Sequence, residues 1–157
     1  MKNRLLYINL VGLSFLLTAC PFALGDNGEW KEKYGTPELL LENSWVDNVY
    51  LYNDQSYFHD EENVIREALK EAAPYEKASK RSVPKDMRYF TYEGVWKAAT
   101  TGPNYEHLSV WENGYVRIDH KSSLGPHEYL YFSISEEKAT SLVDLVFSIS
   151  ETNNTTI

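Results

Sequence analysis

Leu108-Ser109-Val110-Trp111-Glu112-Asn113-Gly114-Tyr115-Val116-Arg117-Ile118-Asp119 is the stretch on which the fold turns. Its two arms are rich in β-branched and aromatic residues and meet at Glu112-Asn113-Gly114, the pattern of a β-hairpin. Two registers compete. A two-residue Asn-Gly turn sets Val110 opposite Arg117 and Leu108 opposite Asp119, mixing apolar and charged side chains on one face. A three-residue loop with Gly114 left-handed sets Val110 opposite Val116 and Leu108 opposite Ile118, so one face becomes wholly apolar. The second register is expected. It leaves Trp111 beside Tyr115, Ser109 beside Arg117 and His107 beside Asp119 on the other face, which is then the best candidate binding surface in the chain.

Downstream, Glu128 to Ile134 alternates, with Leu130, Phe132 and Ile134 inward and Tyr129 and Tyr131 outward. Ser135 then caps a final helix whose Ala139, Leu142, Val143, Val146 and Phe147 form one stripe. Upstream, Met87 to Glu93 is a strand candidate, and Gly94 to Asn104 reads as an irregular loop punctuated by Gly102-Pro103. A polar connection, Lys77 to Lys85, precedes it. Trp45 to Tyr52 reads as a strand ending at an Asn53-Asp54 turn. From Asp60 to Ala73, the residues Val64, Ile65, Ala68, Leu69 and Ala72 share one helical face. Asp60, Glu61 and Glu62 suit the helix start, Lys70 suits its end, and Pro74 stops it. The order predicts an α+β fold: an antiparallel sheet of about five strands with two helices packed on one face.

The chain has 157 residues and one cysteine, Cys20. Before it come Lys2, Arg4 and an apolar run from Leu5 to Leu17, the layout of a secretory signal. That run is about 13 residues, short of the roughly 20 that span a bilayer. Leu17-Thr18-Ala19-Cys20 resembles the lipid-attachment motif of bacterial lipoproteins, matching it position by position. The resemblance implies a diacylglycerol on the Cys20 sulfur, cleavage before Cys20 and acylation of the new amino group. Two acyl chains anchor stably where one binds only marginally. The expected location is therefore the cell membrane, lipid-anchored and facing outside the cytoplasm, with the bilayer as partner through acylated Cys20.

The expected layout is a signal peptide over 1–19, a lipidated tether over 20–43, one domain over 44–150 and a flexible tail over 151–157. Trp30, Tyr34 and Leu39-Leu40-Leu41 are odd in a pure tether and suggest a short turn or helix packed on the domain edge. Loss of the leader removes Lys2 and Arg4, leaving 13 basic residues against 23 acidic and a net charge of −10. So acidic a surface repels nucleic acid. With Cys20 modified no thiol remains for a disulfide, a metal or a nucleophile. The element order, the Tyr75 to Pro84 passage and the aromatic hairpins are similar to small lipoproteins of unknown function from low-GC Gram-positive bacteria. The similarity covers roughly residues 45–148 and brings no catalytic residue with it.

Chemistry-bearing patterns are sparse. His59-Asp60-Glu61-Glu62 concentrates metal-type ligands, yet a helix start explains the same run. The chain has no Gly-x-Ser-x-Gly, no Ser-x-x-Lys and no phosphate loop. No cofactor is expected, and enzyme activity is the minority reading. The excess is aromatic: 12 Tyr, 4 Trp and 6 Phe. Aromatic rings stack on sugars and dominate protein-binding hot spots, although strands favour them regardless. The leading expectation is an envelope binding module for a cell-wall glycan or an envelope protein, using the surface of Trp111, Tyr115, Tyr129 and Tyr131. Tyr50, Tyr52, Tyr89, Tyr92 and Trp96 extend the set. The alternative is an envelope hydrolase or metal-dependent protein built on His107, Asp119, His120 and His127.

Overall fold

The structure, a computed structural model, describes residues 29–43, 48–51, 56–83, 86–98, 102–121 and 127–155. The leader, Cys20 and residues 21–28 lie outside the described residues. Two short helices, α1 (Glu29–Tyr34) and α2 (Pro37–Asn43), come first. A hairpin of β1 (Asn48–Leu51) and β2 (Ser56–His59) leads to α3 (Val64–Glu71) and a two-residue strand, β3 (Glu76–Lys77). Three further strands, β4 (Tyr89–Ala98), β5 (Gly102–Trp111) and β6 (Tyr115–Lys121), precede β7 (His127–Ser133) and the long α4 (Glu136–Thr155).

The strands form one antiparallel sheet in the order β2-β1-β4-β5-β6-β7-β3. The α+β class and the antiparallel sheet agree with the sequence, but the described residues contain seven strands and four helices, not about five and two. The additional strands have physical causes. β2 is a four-residue return of β1, pairing Asn48 with His59 and Leu51 with Ser56. β3 is too short to show a period. Residues 94–98 and 102–104, expected as loop, extend β4 and β5. Among the described residues Pro103 pairs with β4, at Lys97, and the pairing of β5 with β6 starts at Tyr105. A residue without an N–H is tolerated where its donor side has no ladder partner.

The central hairpin has the three-residue loop: Val110 pairs with Val116, Leu108 with Ile118, Ser109 with Arg117 and His107 with Asp119. One face of the sheet is therefore apolar. Val49, Leu51, Phe90, Tyr92, Leu108, Val110, Val116, Ile118 and Phe132 form a single core with Leu40, Leu41, Ile65, Leu69, Ala139, Val143 and Val146 of the helices. Each fully buried aliphatic side chain there contributes about 1.5–3 kcal/mol. Helix ends are fastened across the layer. Asp60 Oδ2 accepts from the Ile65 and Arg66 N–H groups at 2.9 Å each, Arg66 donates to the Leu41 carbonyl, and Lys138 Nζ donates to the Ala72 and Ala73 carbonyls.

Trp30, Tyr34, Leu40 and Leu41 are buried in two short helices, α1 and α2, packed as those residues suggest within the span 20–43 expected as tether. α4 continues to Thr155 where a flexible tail from 151 was expected.

Gly114 has φ +84°, and a Cβ there would run into the Ile134 carbonyl oxygen. Gly114→Ala is expected to cost about 1–3 kcal/mol of stability through left-handed strain and that clash. Urea denaturation checks it; a loss below about 0.5 kcal/mol, the ordinary range of surface substitutions, would contradict this account of the turn.

Candidate functional site

Strand alternation sends the remaining side chains to the face opposite the helices. They fall into rows. One row reads His59, Asn48, Glu93, His107, Asp119 and Tyr129 across β2-β1-β4-β5-β6-β7; the next reads Tyr57, Tyr50, Thr91, Ser109, Arg117 and Tyr131. From β1 to β7 the rows cover about 19 Å, four strand spacings. Short Thr91 and Ser109, bonded to each other at 2.9 Å, form a low centre between tall neighbours.

Glu93 is the hub of the first row. Its Oε1 lies 3.1 Å from His107 Nε2, and its Oε2 accepts from Asn48 Nδ2 at 2.8 Å and from the Tyr50 hydroxyl at 3.0 Å. Burial alone would push the Glu93 carboxyl up, but the bonds from His107, Asn48 and Tyr50 together outweigh it and hold the group below its ordinary value. A carboxylate with a lowered folded pKa adds stability that is complete above the unfolded value of about 4.3 and is lost as pH falls through the folded value. Glu93→Gln is accordingly expected to cost about 1–3 kcal/mol near neutral pH, the range for bonds to a charged group. The gap to the unsubstituted protein should close as pH drops below about 4.3. Denaturation at several pH values reads this directly, and a gap that widens in acid would refute it.

A second cluster joins Asp119, His127 and Tyr129. His127 Nε2 is 3.1 Å from Asp119 Oδ1, and the Tyr129 hydroxyl is 3.1 Å from His127 Nδ1. Beside it runs an aromatic array. Tyr89 stacks on Trp111 at 4.8 Å, Trp111 meets Tyr115 at 5.2 Å, and Tyr115 reaches Tyr131 at 6.1 Å. The Arg117 guanidinium lies over Trp111 at 5.3 Å and over Tyr129 at 5.1 Å.

Of the four aromatics expected to present the surface, Tyr129 is 40% exposed and Tyr131 is half-buried, but Trp111 and Tyr115 are each only 5% exposed. Tyr89 and Arg117 pack against the Trp111 ring. Residues 78–83 pass that end of the face, where the Ala78 N–H donates to the Tyr131 carbonyl and the Arg81 N–H to the Tyr115 hydroxyl at 3.5 Å. Burial raises the Tyr115 hydroxyl above its ordinary value. Trp111 and Tyr115 therefore support the surface rather than form it. On the opposite flank Tyr57, absent from the expected set, is 70% exposed and stacks with Tyr50 at 6.0 Å. Tyr92 belongs to the core, Trp96 lies in β4, and Tyr52 is outside the described residues.

The four residues of the hydrolase alternative do not converge. His107, Asp119 and His127 share the face opposite the helices, whereas His120 is on the helix-covered face. There it is paired with Glu106, both almost fully buried, and stacked on Trp30 at 4.0 Å and 8°. The alternation Glu106-Leu108-Val110 and Val116-Ile118-His120 already carries the signal for that placement. In the acidic run Asp60 is committed to the start of α3. Among the described residues no three His, Asp or Glu gather as a metal site, and no helix is long and apolar enough to cross a membrane.

The geometry defines a one-sided α+β sandwich with a polar-aromatic face. No protein family, characterised protein or solved structure matches the chain.

Proposed function

We propose that this protein is a binding module of the cell envelope, held to the membrane through acylated Cys20, that recognises a cell-wall glycan with the sheet face opposite its helices. The anchor reading is supported by the Leu17-Thr18-Ala19-Cys20 motif behind a short apolar leader. The binding reading is carried by one observation. The face opposite the described helices combines exposed rings at both flanks, Tyr57 and Tyr129, with hydrogen-bonding groups between them, Asn48, His107 and Asp119, the first two anchored on buried Glu93. Rings stack on the apolar faces of sugars, and immobilised carboxylates and imidazoles bond their hydroxyls.

The hydrolase reading draws less support. His107 is bonded to Glu93, His127 contacts Asp119 and Tyr129, and among the described residues neither is placed against a serine or threonine hydroxyl that it would activate.

Tyr57→Ala and Tyr129→Ala truncate exposed rings and leave the core intact. Each is expected to weaken retention on isolated cell wall about tenfold, the scale of an aromatic hot spot. Sedimentation of the full chain with purified wall measures this. Undiminished retention of both variants would remove the face from consideration, and retention by wall-associated protein rather than by the glycan would move the ligand class.

A further inference from the structure

Two arginines of the packed body are held by oxygen partners. Arg66 holds the Leu41 carbonyl, and Arg88 bridges Glu112 and Asp144 at 2.8 and 2.9 Å. Arg117 differs. Its Nε is buried without a hydrogen-bond partner, and no carboxylate pairs with its guanidinium among the described residues, in a chain with 23 acidic residues against 15 basic. What flanks it instead are two rings, Trp111 at 5.3 Å and Tyr129 at 5.1 Å. An unsatisfied buried donor costs about 1–3 kcal/mol, and a site that keeps one invites an explanation.

We infer that Arg117 is the anchor of a carboxylate-binding site on the face opposite the helices, one that takes the acid group of an acidic sugar. The inference rests on the glycan-binding reading and names its ligand class. Flanking by two rings limits the guanidinium in advance, so less freedom remains to be lost when an anion docks. A planar carboxylate can meet that fork in its own plane, with both oxygens bonded. One guanidinium suits a single negative charge better than a phosphate monoester dianion, and the two acids in the neighbouring row, Glu93 and Asp119, each face an imidazole nitrogen, of His107 and His127, at 3.1 Å. Half-buried Tyr131, a cross-strand neighbour of Arg117, and exposed Tyr129 supply rings beside the guanidinium on which a sugar can rest.

The test follows the Arg117 Nε–H resonance in the full, ¹⁵N-labelled chain in detergent micelles. The probes are D-glucuronate, D-glucose and D-glucose 6-phosphate. Glucuronate should shift the resonance saturably, and glucose should not. Arg117→Lys, which keeps the charge but loses the fork, should bind glucuronate at least tenfold more weakly, as read from the neighbouring backbone amides. Tyr129→Ala, which keeps the arginine and removes one of its two flanking rings, should weaken it several-fold, so the idea stays testable if replacing Arg117 disturbs the fold. Equal response to glucose, tighter binding of the 6-phosphate, or unchanged glucuronate binding by Arg117→Lys would each overturn the inference. Wall retention separates the two readings: loss in Tyr57→Ala with full retention in Arg117→Lys removes the carboxylate site and leaves glycan binding standing.

Discussion

His120→Ala is expected to lower the unfolding free energy by about 3–5 kcal/mol, the usual consequence of leaving one member of a buried acid–base pair behind. His120 and Glu106 are 2% and 1% exposed and bonded to each other on the apolar side of the sheet. Removing the imidazole takes away a partner of an interior carboxyl group and also the ring on which Trp30 stacks. Replacing both members by leucine should recover most of the loss, because paired apolar side chains of similar volume are often as stable as the pair they replace. Chemical denaturation of the two variants gives the answer. A single variant within about 1 kcal/mol of the unsubstituted protein, or a double variant worse than the single, would refute the role assigned to the pair.

Trp30→Ala should cost a similar amount, about 3–5 kcal/mol, as large aromatic truncations in packed sites do. Trp30 is 2% exposed, and Lys31 beside it bridges Glu128 at 2.6 Å, so α1 is fastened to β6 and β7 at two points. The same substitution should release the α1 amides to hydrogen exchange while those of β5 remain protected. Trp30→Phe, which keeps a ring on His120, should retain most of the stability. If Trp30→Ala changes stability by less than about 1 kcal/mol, α1 is no part of the cooperative unit.

The hairpin was legible in the sequence because the two arms alternate and Gly114 supplies the one left-handed position the loop needs; the apolar stripes of α3 and α4 were legible for the same kind of reason. Short elements were not. β2 and β3 have four and two residues, too few to establish a period. The Gly102-Pro103 signal misled because its meaning depends on which neighbours β5 has at that point, a property of the sheet rather than of the segment. At the site, strand parity identified Tyr129, Tyr131, His107 and Asp119 as residents of one face. Parity says nothing of what lies above a face, and so Trp111 and Tyr115 were expected at the surface although Tyr89, Arg117 and residues 78–83 pack around them. Tyr57 was missed because it belongs to β2.

Position-specific photo-crosslinking on intact cells tests the recognition face most directly. A photoreactive residue replaces Tyr57 or Tyr129 on the sheet face, or Lys70 or Ser141 on the exposed side of the helices, in the full-length protein. The account predicts covalent capture of wall glycan from the two sheet positions and none from the two helix positions. Capture from the helix positions alone, or equal capture from all four, would contradict it.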